Sequence, residues 1–356
     1  MSEIEDFVEI SKYAGERFDL VQAAGGNSSV KLDNGEMLIK ASGFLLSDVN
    51  KVAGYSRVNT AAVAAIVKNK EVLNSGNKRQ RESIAARLLK EVTLDRQNRP
   101  SIETLLHSLL LKYTLHTHSI VVNMIVAQAN CKEILNAIFK KERIAFINYE
   151  TPGIELAIAL DNELQRFDEI PNIIILQNHG LIVTSDNKDA IKKLTEHVLE
   201  KIEKFLHIDM SKYKFTNEIS HLFNRFEKAS NISYLCQDMV LNEQLLINES
   251  LFSNTPFCPD TFVYCGAEPV KIENLKDAKS LQVYEITNHE FPKVIIYDGH
   301  LFFRALTLKK AKEMEEVLKF HIMVLAQNED VKLNFLEKKE LGYLSNWEAE
   351  KYRQKL

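Results

Sequence analysis

Cysteine is scarce in this chain: four residues in 356, at positions 131, 236, 258 and 265, with no C-x-x-C pair among them. That spacing argues against a zinc ribbon or a disulfide framework and suggests reduced, partly buried thiols. Charge of one sign is also missing. The 45 basic side chains face 49 acidic ones, a net of −4, so no global positive field invites nucleic acid. No apolar run approaches the length that crosses a bilayer. The start, MSEIEDFVEISKY, is acidic and amphipathic and has no basic stretch followed by an apolar one, so a cytoplasmic protein is expected. Neither an internal repeat nor a low-complexity tract is evident. What the chain does have is 45 % hydrophobic residues, enough to fold around one large core or two ordinary ones.

The pattern alternates between helical and extended stretches. Residues 4–18 suit an amphipathic helix that breaks at AAGGNSS, residues 23–29. Strands are expected over 29–32 and 37–41, joined by Asp33-Asn34-Gly35, a strong hairpin signal. Helices follow over 60–69 and 82–92, with the polar LNSGNKRQR between them read as a loop. Ser101 is a candidate N-cap for a helix over 102–112. Later segments read as a helix over 132–141, a strand over 143–149, and a helix after Thr151-Pro152-Gly153 running to Arg166. The runs IIIL and LIVTS flank Gln177-Asn178-His179-Gly180 as a second hairpin-like unit. Asp186 and Asn187 then cap a long amphipathic helix. A boundary is expected near 209–217. Beyond it, residues 218–356 mix helices with strands over 261–265, 293–297 and 301–305, and end in a charged helix, WEAEKYRQKL.

The stretch LKYTLHTHSIVVNMIV, residues 111–126, carries the chemistry. Its apolar run over 120–126 reads as a buried strand with two histidines at its entrance. Residues two apart on a strand share a face, so His116 and His118 project side by side while Thr117 points away. Such a pair is either a metal chelate or two hydrogen-bonded, partly buried imidazoles, and the pair alone leaves both readings open. His179 stands in the turn before Gly180 and completes a set of three. Three neutral imidazoles leave an open coordination position, the pattern of a catalytic zinc; other divalent metals that accept imidazole fit as well. A cupin would place a glutamate three or four residues after the pair, where Val121 and Val122 stand. An amidohydrolase barrel would place its pair near the N-terminus.

The landmarks GGNSSVK, ASG, PSIETLLH, HTH, YETPG and QNHGLIV occur in that order, and in that order they resemble the class II aldolase/adducin family. The likeness extends, through CPDTFVYCG and NWEAEKYRQ, to the aldolase portion of proteins that fuse a rhamnulose-1-phosphate-aldolase-like domain to a short-chain dehydrogenase. No G-x-G-x-x-G or Y-x-x-x-K pattern in a suitable setting supplies the dehydrogenase. The resemblance implies a three-layer α/β/α domain with a central, mostly antiparallel sheet over residues 1–210, followed by a smaller α+β segment over 218–356. It implies a homo-oligomer, a tetramer in most relatives.

By the same resemblance His116, His118 and His179 hold a divalent metal, zinc first, that polarises the carbonyl of a dihydroxyacetone phosphate unit. Glu103 occupies the position of the catalytic carboxylate that moves a proton next to the carbonyl. Read without the resemblance, it is an ordinary glutamate in the first turn of a helix. Tyr149 lies where related aldolases protonate the aldehyde oxygen, or else it is a packed aromatic at a strand end. His107, four residues after Glu103, reads as a supporting or core histidine. Gly26, Asn27 and Ser28 sit in a turn whose N–H groups can converge on an anion, and Ser42, Gly43 and Ser101 join them by resemblance to bind phosphate. The smaller aldolases have two adjacent serines where this chain has Ser101-Ile102. The leading expectation is an aldolase acting on a phosphorylated ketose. A pentulose-phosphate 4-epimerase or a sugar-acid decarboxylase would use the same site. An adducin-like scaffold would have no need of three histidines and Glu103.

Overall fold

Asn34-Gly35 turns the chain back on itself, and the first sheet grows from that hairpin. Gly35 takes a left-handed φ of +83° that the turn requires. The computed structural model describes residues 2–95, 97–226, 231–276 and 278–345. These divide into two compact units, Met1–Met210 and Ser211–Leu356.

The first unit begins with α1 (Glu3–Gly15), β1 (Asn27–Lys31), β2 (Glu36–Lys40) and β3 (Tyr55–Asn59). Then come α2 (Thr60–Val67), α3 (Lys70–Leu73), α4 (Lys78–Glu91) and α5 (Thr104–Ser108). The second half runs β4 (Tyr113–Thr117), α6 (Ile120–Val126), α7 (Cys131–Ile138), β5 (Ile144–Ile147), α8 (Ile154–Leu164), β6 (Ile173–Leu176), β7 (Gly180–Ser185) and α9 (Lys188–Leu206). The seven strands form one sheet in the order β3-β2-β1-β4-β7-β6-β5. Every pairing is antiparallel except that of β5 with β6. One face packs on α1, α6, α7 and α9 through residues such as Phe7, Val122, Leu135 and Val198. The other face packs on α2, α3, α4, α5 and α8 through Val63, Val72, Leu89, Leu106 and Ile154. The result is the three-layer α/β/α arrangement with a mostly antiparallel sheet. It places β4 at the centre, where its strand end is walled in by neighbours on both sides.

The second unit comprises α10 (Ser211–Phe223), β8 (Ile232–Leu235), α11 (Met239–Ile247), α12 (Pro259–Cys265), β9 (Val270–Ile272) and α13 (Lys279–Asn288), then β10 (Val294–Tyr297), β11 (His300–Ala305), α14 (Leu308–Gln327) and α15 (Lys338–Ser345). Its four strands run in the order β8-β11-β10-β9. Among the described residues no helix is long and apolar enough to cross a membrane.

Several elements differ from the sequence expectation. The apolar run 120–126 is not a strand but helix α6, and the histidines stand at the exit of β4. Val121, Val122, Ile125 and Val126 line one helical face in the core while Met124 is exposed, so packing overrides the β preference of branched side chains. Thr261–Cys265 is likewise helical, started by Pro259 at the first turn and ended at Gly266, whose φ is +83°. The helix after Ser101 is only five residues long and Glu103, not Ser101, is its N-cap residue. The polar LNSGNKRQR stretch contains the start of α4, capped by Asn77. β3 replaces an unassigned stretch; its buried positions include Ser56, so no apolar alternation announced it. The terminal WEAEKYRQKL lies outside the described residues.

Candidate metal centre

Strand β4 carries the first two histidines to the core of the sheet. His116 lies opposite Ile182 of β7 on one side and Asn27 of β1 on the other. His118 follows at the strand exit, and α6 starts two residues later. The third histidine arrives on the turn between β6 and β7. A Cβ at Gly180 would stand 2.1 Å from the Thr117 carbonyl oxygen, so only glycine lets β7 pass this close to the histidine strand. Asn178 sits in the left-handed region at φ 53°, which tightens the turn. Asn123 of α6 then donates its side-chain amide to the His179 carbonyl at 3.1 Å and to the Ser119 carbonyl at 3.0 Å. That residue was not anticipated; it ties the turn histidine to the helix that begins just after the other two.

The three rings meet at centroid separations of 5.1, 4.7 and 5.1 Å. One nitrogen from each lies within 4.8 Å of the others, and among the described residues this is the group of His, Cys, Asp or Glu side chains arranged to hold a metal ion. Nε2 of His116 and Nε2 of His118 are buried and have no hydrogen-bond partner among the described residues. Burial, helped by the neighbouring imidazoles, pulls the His118 pKa down to about 4, so at neutral pH this ring is uncharged and has a lone pair to give. Buried nitrogens with no protein partner are costly unless something else meets them, and the donor set fits a divalent metal with an open position.

Glu103 is buried against these histidines. Its carboxylate accepts from His116 Nδ1 at 2.9 Å, lies 3.2 Å from His179 Nε2, and accepts from the Asn27 side-chain amide. An ionised carboxylate can only accept, so the bond to Nδ1 places the His116 hydrogen there and leaves the Nε2 lone pair free. Burial alone would raise the Glu103 pKa, but the two imidazoles outweigh it and hold the carboxyl well below its ordinary range. Behind this pair, His107 is fully buried with Nδ1 2.7 Å from the Ser29 hydroxyl, and burial presses its pKa down to about 3. It is a neutral supporting ring and is not among the grouped nitrogens.

The expected anion-binding residues are distributed unevenly. Gly26 adopts φ +68°, and a Cβ there would meet Val21 Cγ1 at 2.7 Å and the His116 carbonyl at 2.8 Å, so the turn is pressed onto β4. Asn27 follows it with its side chain on Glu103. Ser42 and Gly43 are exposed, and the Ser42 N–H is held by the Arg99 carbonyl at 2.8 Å, next to Pro100 and Ser101. The Ser101 hydroxyl accepts from the Glu103 N–H at 3.3 Å. Ser28 is not brought to this cluster: its hydroxyl is buried 2.7 Å from that of Ser11. Tyr149 is 56 % exposed, which removes the packed-aromatic reading; its N–H donates to the Gln177 side chain at 3.1 Å, at the base of the His179 turn.

One cation was missed by the sequence reading. Lys40, buried at the end of β2, donates its ammonium to the carbonyls of Ala24 at 3.1 Å and Phe44 at 2.8 Å. It therefore ties the GGN turn to the ASG turn. Burial lowers its pKa to about 8, with Glu103 pulling the other way. The signal was present as the single charged side chain in MLIKA.

No curated protein matches the chain. Among solved structures it is similar to the N-terminal class II aldolase domain of a conserved Thermoplasma acidophilum protein, at 24 % identity and TM-score 0.49, covering 58 % of this chain and 94 % of that one. It is similar to YgbL of Klebsiella pneumoniae, described as a putative aldolase/epimerase/decarboxylase, at 19 % identity and TM-score 0.41, covering 58 % and 88 %. A sugar-phosphate aldolase from Thermotoga maritima is similar at 15 % identity and TM-score 0.42, covering 58 % and 94 %. Residues 5–205 match the family described as class II aldolase and adducin N-terminal domain, and the chain belongs to that family.

Proposed function

We propose that the chain is a metal-dependent aldolase that cleaves or forms a phosphorylated ketose, with dihydroxyacetone phosphate and an aldehyde as the other partners. The observation that carries the reading is Glu103, a buried carboxylate held by Asn27, His116 and His179 at the edge of the three-imidazole set. His116, His118 and His179 would hold the ion, zinc or another divalent metal. When bound, such an ion supplies Lewis-acid polarisation of the substrate's carbonyl. Glu103 removes or returns the proton on the carbon beside that carbonyl. Asn27 holds one carboxylate oxygen and so fixes the direction from which the proton is taken. Gly26, Asn27, Ser42, Gly43 and Ser101 supply backbone and hydroxyl donors to the phosphate, and Lys40 between the two turns adds positive charge. Tyr149, on an exposed strand exit, protonates the aldehyde oxygen.

The chain acts as a homo-oligomer, a tetramer as in most of the family, in a reducing cytoplasm that suits its four free cysteines. The test is metal analysis of the purified chain followed by a screen of ketose 1-phosphates for dihydroxyacetone phosphate release. Release with bound metal supports the reading. Interconversion of pentulose phosphates without release would make it an epimerase, and loss of carbon dioxide from a sugar acid would make it a decarboxylase. A folded protein with no metal at all would favour a scaffold.

A further inference from the structure

The two units share a strand arrangement. In the first, the four strands β4-β7-β6-β5 lie side by side; in the second, the whole sheet is β8-β11-β10-β9. The senses agree strand for strand. β4 with β7 and β8 with β11 are antiparallel, the hairpins β6/β7 and β10/β11 are antiparallel, and β5 with β6 and β9 with β10 are parallel. The order of strands and α-helices along the chain agrees too: strand, two α-helices, strand, helix, hairpin, long helix, with a 3-10 turn at Glu249–Ser253 added between the two α-helices of the second unit. Chain connectivity allows only a handful of such orders, so this alone would be weak.

Faces and register add independent weight. α6, α7 and α9 share one core and α8 the other; α11, α12 and α14 share one core and α13 the other. Leu181 and Val183 of β7 enter the core with the long helix and Ile182 the opposite core; Leu301 and Phe303 of β11 do the same, and Phe302 the opposite. The pairing of Ile182 with His116 corresponds to that of Phe302 with Leu235. Continuing outward, Thr117 falls on Cys236, His118 on Gln237, Ser119 at the N-cap position of α6 on Asp238 at that of α11, and Asn123 on Asn242. The asparagines share a place but not a partner: Asn123 donates to the Ser119 carbonyl four residues back, and Asn242 to the Cys236 carbonyl six residues back.

At this register the metal ligands are gone. Leu235 replaces His116 and Gln237 replaces His118. The turn between Leu176 and Gly180 holds Gln177, Asn178 and His179, whereas that between Tyr297 and His300 holds only Asp298 and Gly299. We propose that residues 232–327 are a second copy of residues 113–206 from which the metal site has been erased, so that the chain carries one metal centre and a metal-free counterpart of half its own catalytic fold. The inference rests on sheet register and on ligation by the three histidines, not on which reaction they serve.

The test starts from the full chain with His116→Ala, His118→Ala and His179→Ala. Leu235→His and Gln237→His are added, and Asp298-Gly299-His300 is replaced by Gln-Asn-His-Gly. The expected result is recovery of about one equivalent of Co²⁺ per chain with a tetrahedral absorption spectrum. A control with Tyr234→His and Cys236→His and the same turn should stay empty, because those side chains point to the opposite face. A folded graft that stays empty, or a control that loads equally, overturns the proposal. Should the graft not fold, an experimental structure of the unaltered chain decides: superposition of Leu235 on His116 and Phe302 on Ile182 supports the copy, and any other register refutes it. Absence of metal from the wild type would count against the proposed function, and the superposition would still decide this inference.

Discussion

Glu103→Gln changes one oxygen to an NH₂ group and leaves the side chain's size alone. The carboxylate it removes is buried and has three neighbours: the Asn27 amide, His116 Nδ1 and His179 Nε2. A glutamine keeps one acceptor oxygen, enough for the His116 hydrogen, and turns an amide donor towards one of the others. None of the three imidazoles is altered, so the bound metal should stay near one per chain. What disappears is the proposed base. General acid–base groups contribute about 10²- to 10⁴-fold, which corresponds to roughly 3–5 kcal/mol on the barrier. The assay is exchange of the hydrogen next to the carbonyl of dihydroxyacetone phosphate with deuterated solvent, followed by NMR, with metal content measured on the same sample. Exchange and turnover should fall together, by that factor, with the metal retained. Wild-type exchange with full metal would refute the role and leave Glu103 as an ordinary helix-start residue. Loss of metal in step with exchange would mean that the carboxylate organises the ligands and does not move the proton.

His116→Ala, His118→Ala and His179→Ala should each lose the metal and nearly all activity while circular dichroism stays native; stoichiometric metal in all three would sink the assignment. Gly180→Ala forces a methyl against the Thr117 carbonyl and should cost about 1–3 kcal/mol in denaturant unfolding, so an unchanged midpoint would contradict the close strand approach. Lys40→Gln should lower kcat/KM for a phosphorylated ketose far more than for its free sugar; equal losses would show that Lys40 only ties two turns together. Stability of the metal-free protein should decline as the pH falls below 6.5. Burial lowers the folded pKa values of His107, His118 and His321, the last buried on α14, to about 3, 4 and 4, so below 6.5 the unfolded chain binds the extra protons. A urea midpoint that is flat or rising from pH 6.5 to 5 would show that these rings are not held neutral.

Much of the first sheet was legible because its signals are local. Asn34-Gly35 demands a hairpin whatever the rest of the chain does, and IIIL beside a His-Gly turn marks a strand buried on both faces. The misread segments are those where tertiary context decides. IVVNMIV is a helix because Val121, Val122, Ile125 and Val126 fall on one side of it against the sheet, a spacing that a seven-residue run shows only faintly. TFVYC looks extended until Pro259 and Gly266 are read as its start and stop. The copied half was invisible for a different reason: what persists between the two units is pairing sense, register and the order of buried faces, while few identities remain beyond Val121 with Val240 and Asn123 with Asn242.

The site shows the same division. Histidines two apart on a strand share a face by geometry alone, so the spacing in HTH is enough to place that pair. The same rule, applied to Asn27-Ser28, shows that the two side chains cannot both serve one pocket. Asn27 lies opposite His116 in the sheet and reaches Glu103; Ser28 must therefore face the other layer, where Ser11 meets it. Lys40 falls by the same alternation on the Leu38 face of β2, across from Ser28. It stands on β2 beyond Leu38 and Ile39, and its ammonium is turned inward because the two loops it bridges offer it carbonyls in place of water. The carbonyl count is what a sequence cannot supply. A lysine among apolar neighbours can snorkel out or fold in, and only the positions of Ala24 and Phe44 decide between them. Folded in, it sets a positive charge between the turns that carry Gly26 and Gly43.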